Sequence, residues 1–220
     1  MITTIVHVAS PVTLIGGADL DDSDLNICLK VAPSVVAADG GADHALRKGL
    51  QPLAVIGDMD SASPAARQAF ADVLHPIDEQ DTTDFEKCLT RIQASLIMAA
   101  GFLGGRLDHT LSVLGVLARL RACHVVLIVR DDVCVLLPEG NSVWHLRPGD
   151  RAALLPLGPA RVTSDGLRWD LAARRMAPDG VVSSSNAVAR PVVRLDVTGP
   201  VLLTLPRAAW AVVTDAVRAR

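Results

Sequence analysis

Six aspartates stand where strands should end or helices begin: Asp39 in VVAADGGADHAL, Asp58 and Asp60 in LAVIGDMDS, Asp81 and Asp84 in DEQDTTDFEKCL, and Asp108 in GGRLDHTL. Each follows an apolar or β-branched run or opens a helical pattern, and in an open parallel sheet such positions converge on the crevice outside the strand carboxyl ends. Two carboxylates about 5 Å apart repel by roughly 1 to 3 kcal/mol at effective dielectrics between water and a protein surface. Gathering several therefore calls for a cation, with Mg²⁺ the first choice for oxygen donors beside phosphate, or for raised pKa values.

The tightest constellation is IGDMDS. Gly57 ends its run without a side chain, and Asp58 and Asp60 can both turn toward one ion once the chain leaves strand geometry. Mg²⁺ usually keeps several waters and takes one or two carboxylates beside substrate phosphates. The same residues can equally form an Asx-type turn before a helix that Ser63-Pro64 starts. In GFLGGRLDHT, backbone N–H groups freed by Gly104 and Gly105, with the Arg106 fork, suit a phosphate, and Asp108 and His109 open the next helix. The bland reading there is a tight turn with Asp108 as cap and Arg106 solvated. In DGGADHAL, Gly40 and Gly41 let backbone approach a ligand, and Asp39 can accept from a ribose or bind metal; the glycines can also serve only the turn. Recurrence in four successive strand-to-helix turns favours one functional site, because independent accidents would not repeatedly place carboxylates at the same end of one sheet. Neither a Walker sequence nor GxGxxG occurs.

The elements that must position these residues have two rhythms. Strand-like runs at 3–8, 12–15, 34–38, 53–57, 96–100 and 124–129 alternate with helical patterns at 22–31, 42–49, 64–72, 84–94 and 107–121. Alternation of this kind predicts an α/β fold with a doubly wound, mostly parallel sheet and flanking helices. Thr83-x-x-Glu86 is a capping box that places Asp84 in a helix first turn, a favourable end for negative charge. Beyond residues 138–141 short β runs take over (SVWHL, RAALLPL, ARVTS, VVSS, PVVRLDV, PVLLTLP), punctuated by Gly and Pro turns, as in an antiparallel β-sandwich or barrel. The expected domains are 1–138 and 141–220.

Composition narrows the classes. Of 220 residues half are apolar but only 3% aromatic, with no tyrosine, so Val, Leu, Ala and Ile build the interior. A formal net charge of -3 gives no basic excess for tracking nucleic acid. Cys28, Cys88, Cys123 and Cys134 are scattered, suggesting neither zinc nor disulfides. There is no cationic leader and no run of membrane-crossing length, so the expectation is a cytoplasmic protein without membrane or nucleic-acid partners.

The ordered series ADGGADHAL, VIGDMDS, DEQDTTDFEKCL, GGRLDHTLSVLG, TSDGLRWDL, SSSNAV and VTGPVLLTLP resembles the thiamine pyrophosphokinase (thiamine diphosphokinase) family over about residues 14–206. The resemblance implies that residues 1–138 form an ATP- and Mg²⁺-binding catalytic domain and 141–220 a thiamine-binding β-sandwich, in a homodimer with active sites between subunits. The implied reaction converts ATP and thiamine to AMP and thiamine diphosphate. Carried onto this sequence, Asp58, Asp60 and Asp84 bind metal and act in catalysis with Arg106 and Asp108. Asp39, Gly40, Gly41, Asp81, Thr83, Gly105, Arg106 and His109 bind the nucleotide. Trp169, Ser185 and Asn186 meet thiamine, although an indole such as Trp169 can also be a core anchor. Four positions depart from the family pattern: Asp43 for Asn, Met59 for Phe, Val113 for Asn, and Asp170 for the proline that often follows the tryptophan. The last bears on how the loop presents Trp169.

Overall fold

Val12–Ile15, Ser34–Ala38, Ala54–Gly57 and Ile97–Ala100 are buried along almost their whole length. Strands with no wet face need cover on both sides, the arrangement of a parallel sheet under helices. The computed structural model describes residues 2–219 and contains two compact units. One comprises the chain through Val116 with Leu127–Val129; the other comprises Leu117–Val126 and the chain from Arg130 onward.

The elements up to Val129 are β1 (Val6–His7), β2 (Val12–Ile15), α1 (Asp22–Val31), β3 (Ser34–Ala38), α2 (Gly41–Arg47), β4 (Ala54–Gly57), α3 (Pro64–Ala69), β5 (Leu74–Pro76), α4 (Asp84–Leu89), β6 (Ile92–Gln93), β7 (Ile97–Ala100), α5 (Leu107–Leu120) and β8 (Val125–Val129). In the first unit the parallel order is β5-β4-β3-β2-β7, with Val12 opposite both Ser34 and Ile97, Val36 opposite Ala54, and Val55 opposite Leu74. The chain winds outward from β2 to β5 and then returns to lay β7 on the other side of β2. A parallel sheet opens a crevice at such a reversal. The turns leaving β2 and β7 meet there: Ala18 N donates to Gly101 O at 2.8 Å, and a Cβ on Gly16 would lie 2.3 Å from that carbonyl, so only glycine fits.

Local capping starts the helices where the sequence predicts. Ser63 Oγ accepts from Ala66 N at 3.2 Å with Pro64 in the first turn, and Thr83 Oγ1 accepts from Glu86 N at 3.4 Å. Ile15, Val35, Val55, Met59 and Phe70 share one buried cluster. The cysteines are free, and three of the four are buried.

The second unit adds β9 (Asp132–Leu136), β10 (Gly140–His145), β11 (Ala153–Pro156), β12 (Ala160–Asp165), β13 (Arg174–Met176), β14 (Val192–Thr198), β15 (Val201–Pro206) and α6 (Trp210–Arg218). Antiparallel pairing gives β11-β15-β9 and a separate four-stranded sheet, β10-β14-β12-β13. Strict alternation along β14 buries Val193, Leu195 and Val197, and Trp144 on β10 is 1% exposed. The fold is thus mixed α/β with a mostly parallel sheet under helices and a separate antiparallel part, as expected.

Several boundaries differ from the sequence expectation. The helix expected over 84–94 ends at Leu89, because Thr90 Oγ1 donates to Glu86 O at 2.8 Å and the Arg91 guanidinium to Lys87 O at 3.1 Å, closing the last carbonyls before β6 begins. The expected run at 3–8 is a strand only at Val6–His7. The VVSS run forms only an isolated bridge through Ser183, whereas Arg174–Met176, with no apolar alternation, pairs with β12. Helix α6 was outside the expected pattern; it buries Val213 and Val217, one turn apart. Among the described residues no helix is long and apolar enough to cross a membrane.

Candidate active site

Asp39 is the first residue past β3, with φ at +40°, and is 1% exposed. Its carboxylate accepts from Ser61 N at 3.1 Å and Ala62 N at 3.0 Å, tying the loop after β4 to the end of β3. Gly57 makes this possible, since a Cβ there would lie 2.7 Å from that of Asp39. Met59, with φ at +67°, sends its side chain into the core while Asp58 and Asp60 on either side face outward. Positive φ at a residue with a side chain costs about 1 to 3 kcal/mol and persists where surroundings impose it.

This packing brings Asp39, Asp58 and Asp60 together: one carboxylate oxygen from each lies within 4.8 Å of the others. Three hard oxygen donors at that spacing fit a divalent cation such as Mg²⁺. Burial pushes the Asp39 carboxyl up to about 6, reinforced by the Asp84 charge and opposed by its two backbone donors. Asp58 runs the other way. Desolvation would raise it, but hydrogen bonds from Gln80 at 3.0 Å, Asp60 N at 3.3 Å and Lys87 at 3.2 Å together hold it below the usual carboxylate range. Asp84 is raised by burial, against the pull of Lys87. Lys87, itself 2% exposed, places its ammonium 3.2 Å from Asp58 Oδ2 and 3.3 Å from Asp84 Oδ1.

Across the crevice the glycine turn after β7 has positive φ at Gly101, Gly104 and Gly105. It leads to Arg106, whose guanidinium grips Asp108 through two bonds of 3.2 and 2.5 Å while both side chains stay largely exposed. A cavity of about 670 Å³ connects these parts, lined among others by Gly17, Asp39, Gly40, Asp58, Thr83, Asp84, Gly105, Arg106, His109 and Val113. Asp60 stands beside it. Asp81 is exposed and outside the lining, its N–H donating to Glu79, and Gly41 is buried where α2 meets β2, with Ile15 O occupying the space a Cβ would need. Asp108 reaches the cavity only through Arg106.

In the second unit Trp169 is 56% exposed, so the core-anchor alternative belongs to Trp144 instead. Asn186, buried, accepts from Trp169 N at 3.1 Å and donates to Trp169 O at 2.7 Å and Ser183 Oγ at 3.1 Å. Ser185 is exposed.

The family profile described as "Thiamin pyrophosphokinase, catalytic domain" matches residues 25–129, and "Thiamin pyrophosphokinase, vitamin B1 binding domain" matches 146–202. Thiamine pyrophosphokinase 1 of Oryza sativa subsp. japonica is 30% identical over 204 residues, covering 77% of this chain and 77% of the relative. The chain belongs to the thiamin pyrophosphokinase family.

Thiamin pyrophosphokinase 1 of Caenorhabditis elegans is 26% identical over 199 residues, covering 82% of each chain. The solved thiamin pyrophosphokinase from Candida albicans shares the fold, with a TM-score of 0.75 at 20% identity over 91% of this chain and 92% of that one. Gly17, Gln80 and Lys87 are among the cavity residues of this thiamin pyrophosphokinase family member that lie outside the sequence-derived set. Gly16-Gly17 follows a strand run just as Gly40-Gly41 does, and Lys87 sits three residues after Asp84 on one helix face, so both carried a legible signal. Gln80, in a loop, carried none.

Proposed function

We propose that this chain is a thiamine diphosphokinase, which moves a diphosphoryl group from ATP to the hydroxyl of thiamine. The carrying observation is the succession of the catalytic and vitamin B1 binding matches along one chain, the first containing a cavity lined by Asp39, Asp58, Asp84 and Arg106. In the reaction the thiamine hydroxyl oxygen bonds to the β-phosphorus and the bond from that phosphorus to the α,β-bridging oxygen breaks. AMP leaves with the electron pair, and the hydroxyl proton passes to solvent or a carboxylate.

Asp58 and Asp60, with Asp39 within reach of both, would hold Mg²⁺, and Asp84, which shares Lys87 with Asp58, would join from α4; an ion there would neutralise and orient phosphate oxygens. Gly40, Thr83, Gly105 and His109 present backbone and polar groups for the nucleotide, with Asp81 at the periphery and Gly41 seating α2 against β2 behind Gly40. Arg106 stabilises charge on the transferring or leaving phosphate, and Asp108 aims it. Trp169, with Ser185 and Asn186 beside it, receives thiamine, whose cationic ring on an indole is worth about 0.5 to 2 kcal/mol. The division of labour follows 1–138 for ATP and metal and 141–220 for thiamine. We place the enzyme in the cytoplasm as a homodimer, which light scattering at assay concentration tests: a monomer would overturn it.

The test of the reaction is ³¹P NMR with ATP, Mg²⁺ and thiamine, repeated without thiamine and with Asp58→Asn. AMP and thiamine diphosphate should appear together, only with thiamine, and be lost in the variant. Phosphate release without thiamine would mean a hydrolase on the same carboxylates, and binding without turnover a sensor.

A further inference from the structure

The loop that carries Trp169 is held by a residue of its own, Asp170. Its Oδ1 accepts from Ser164 Oγ at 2.9 Å and Leu167 N at 3.0 Å, and its Oδ2 accepts from Gly166 N at 3.2 Å. Ser164, buried, turns its hydroxyl oxygen to accept from Leu171 N at 2.8 Å, so the carboxylate and one hydroxyl close both ends of the turn. Gly166, with φ at +110°, has Val192 O where a Cβ would stand 2.5 Å away, which fixes the turn against β14. On the other side Asn186 clamps the Trp169 peptide through both its N–H and its carbonyl. Between these two clamps the indole is left 56% exposed, with the Arg168 guanidinium 4.8 Å from its ring centroid.

A large apolar ring held this firmly by its backbone, yet left more than half exposed, is a prepared surface. Fixing it in advance removes ordering cost from the ligand that stacks on it. We infer that Asp170 is a positioning residue for thiamine binding, acting through Trp169; the inference rests on the thiamine reading of Trp169 above. A carboxylate that accepts three donors here does by hydrogen bonding what a proline does by ring closure, limiting the conformations open to the loop. With Arg168 on one face of the indole, the other is the face offered to the ligand.

The experiment uses full-length protein and compares Asp170→Ala, Trp169→Ala and the double variant. KM and kcat would be measured for thiamine and for ATP, with thiamine quenching of tryptophan fluorescence in the absence of ATP. Asp170→Ala should raise the thiamine KM roughly tenfold, equivalent to about 1.4 kcal/mol of binding. Its kcat and ATP KM should stay within about twofold, and quenching should weaken in parallel. In the double variant the Asp170 change should add almost nothing, because its effect runs through the indole. Asp170→Asn, which keeps Oδ1 as an acceptor, should recover part of the loss and serves as the probe if the alanine variant does not fold. If Trp169→Ala raises the thiamine KM but neither Asp170 variant does, or if the two effects simply add, the positioning role is overturned. If Trp169→Ala itself leaves the thiamine KM unchanged, the thiamine reading of Trp169 fails instead.

Discussion

Lys87 Nζ lies 3.2 Å from Asp58 Oδ2, and the lysine is 2% exposed. The same ammonium reaches Asp84 at 3.3 Å, so one buried cation bridges two carboxylates that also face the cavity and offsets part of their charge. It serves as an internal counter-charge within the acidic cluster.

Lys87→Met should leave that pair unneutralised and destabilise the fold by about 2 to 4 kcal/mol, less than a wholly buried pair because Asp84 is partly exposed. Mg²⁺ should then recover more melting temperature in the variant than in wild type, since a ligand that binds only the folded state stabilises it by mass action. Equal Mg²⁺ shifts in the two proteins would show that Lys87 and the metal do not share these carboxylates.

Asp39 gives stability a pH dependence of unusual sign. Its folded-state carboxyl is pushed up to about 6, above the ordinary value of about 3.9 for an unfolded chain, so the native state holds the proton more tightly. The Asp39 contribution is fully present below pH ~4 and is lost as pH rises through about 6. In metal-free protein the melting temperature relative to Asp39→Asn should fall across that window. Saturating Mg²⁺ should flatten the slope, because a bound cation favours the carboxylate; a metal-free profile parallel to that of the variant would contradict the assignment.

Gly57→Ala puts a methyl 2.7 Å from the Asp39 Cβ. The end of β4 must shift away from Asp39, which costs about 1 to 3 kcal/mol in a packed interior and displaces the carboxylate cluster. Diphosphoryl transfer should fall at least tenfold at temperatures where circular dichroism still shows a folded protein. Full activity in a stable variant would mean that the spacing of Asp39 from the loop does not matter.

Arg106→Ala should lower kcat by about 10²- to 10³-fold, the range for removing one preorganised charge donor. Nucleotide KM should change little, because the guanidinium is exposed and much of its bonding is to Asp108. Steady-state kinetics would reveal the opposite pattern, a raised KM with kcat intact, if Arg106 only binds ground-state phosphate.

Much of the arrangement is legible in the sequence. The βα alternation predicted the parallel sheet, Ser63-Pro64 and Thr83 marked their helix starts, and the aspartates at strand ends pointed to the crevice. These signals act within about four residues, through hydrogen bonds and turns that neighbours along the chain complete. The failures at 84–94 and at VVSS lie where that reach ends: Thr90 and Arg91 close a helix whose apolar pattern runs on, and β13 exists because β12 offers it an edge.

The sequence by itself determined which acidic, glycine-rich and basic groups occur, in what order, and at which element ends they stand. Only the tertiary structure decided that Asp39 reaches across to Ser61 and Ala62, that Lys87 joins Asp58 to Asp84, that Asn186 grips Trp169, and that Trp144 rather than Trp169 fills the core. Apart from the bond between Lys87 and Asp84, these contacts join residues well separated along the chain. Such partners are chosen by packing and by the need to satisfy buried polar groups, and no local rule carries that information.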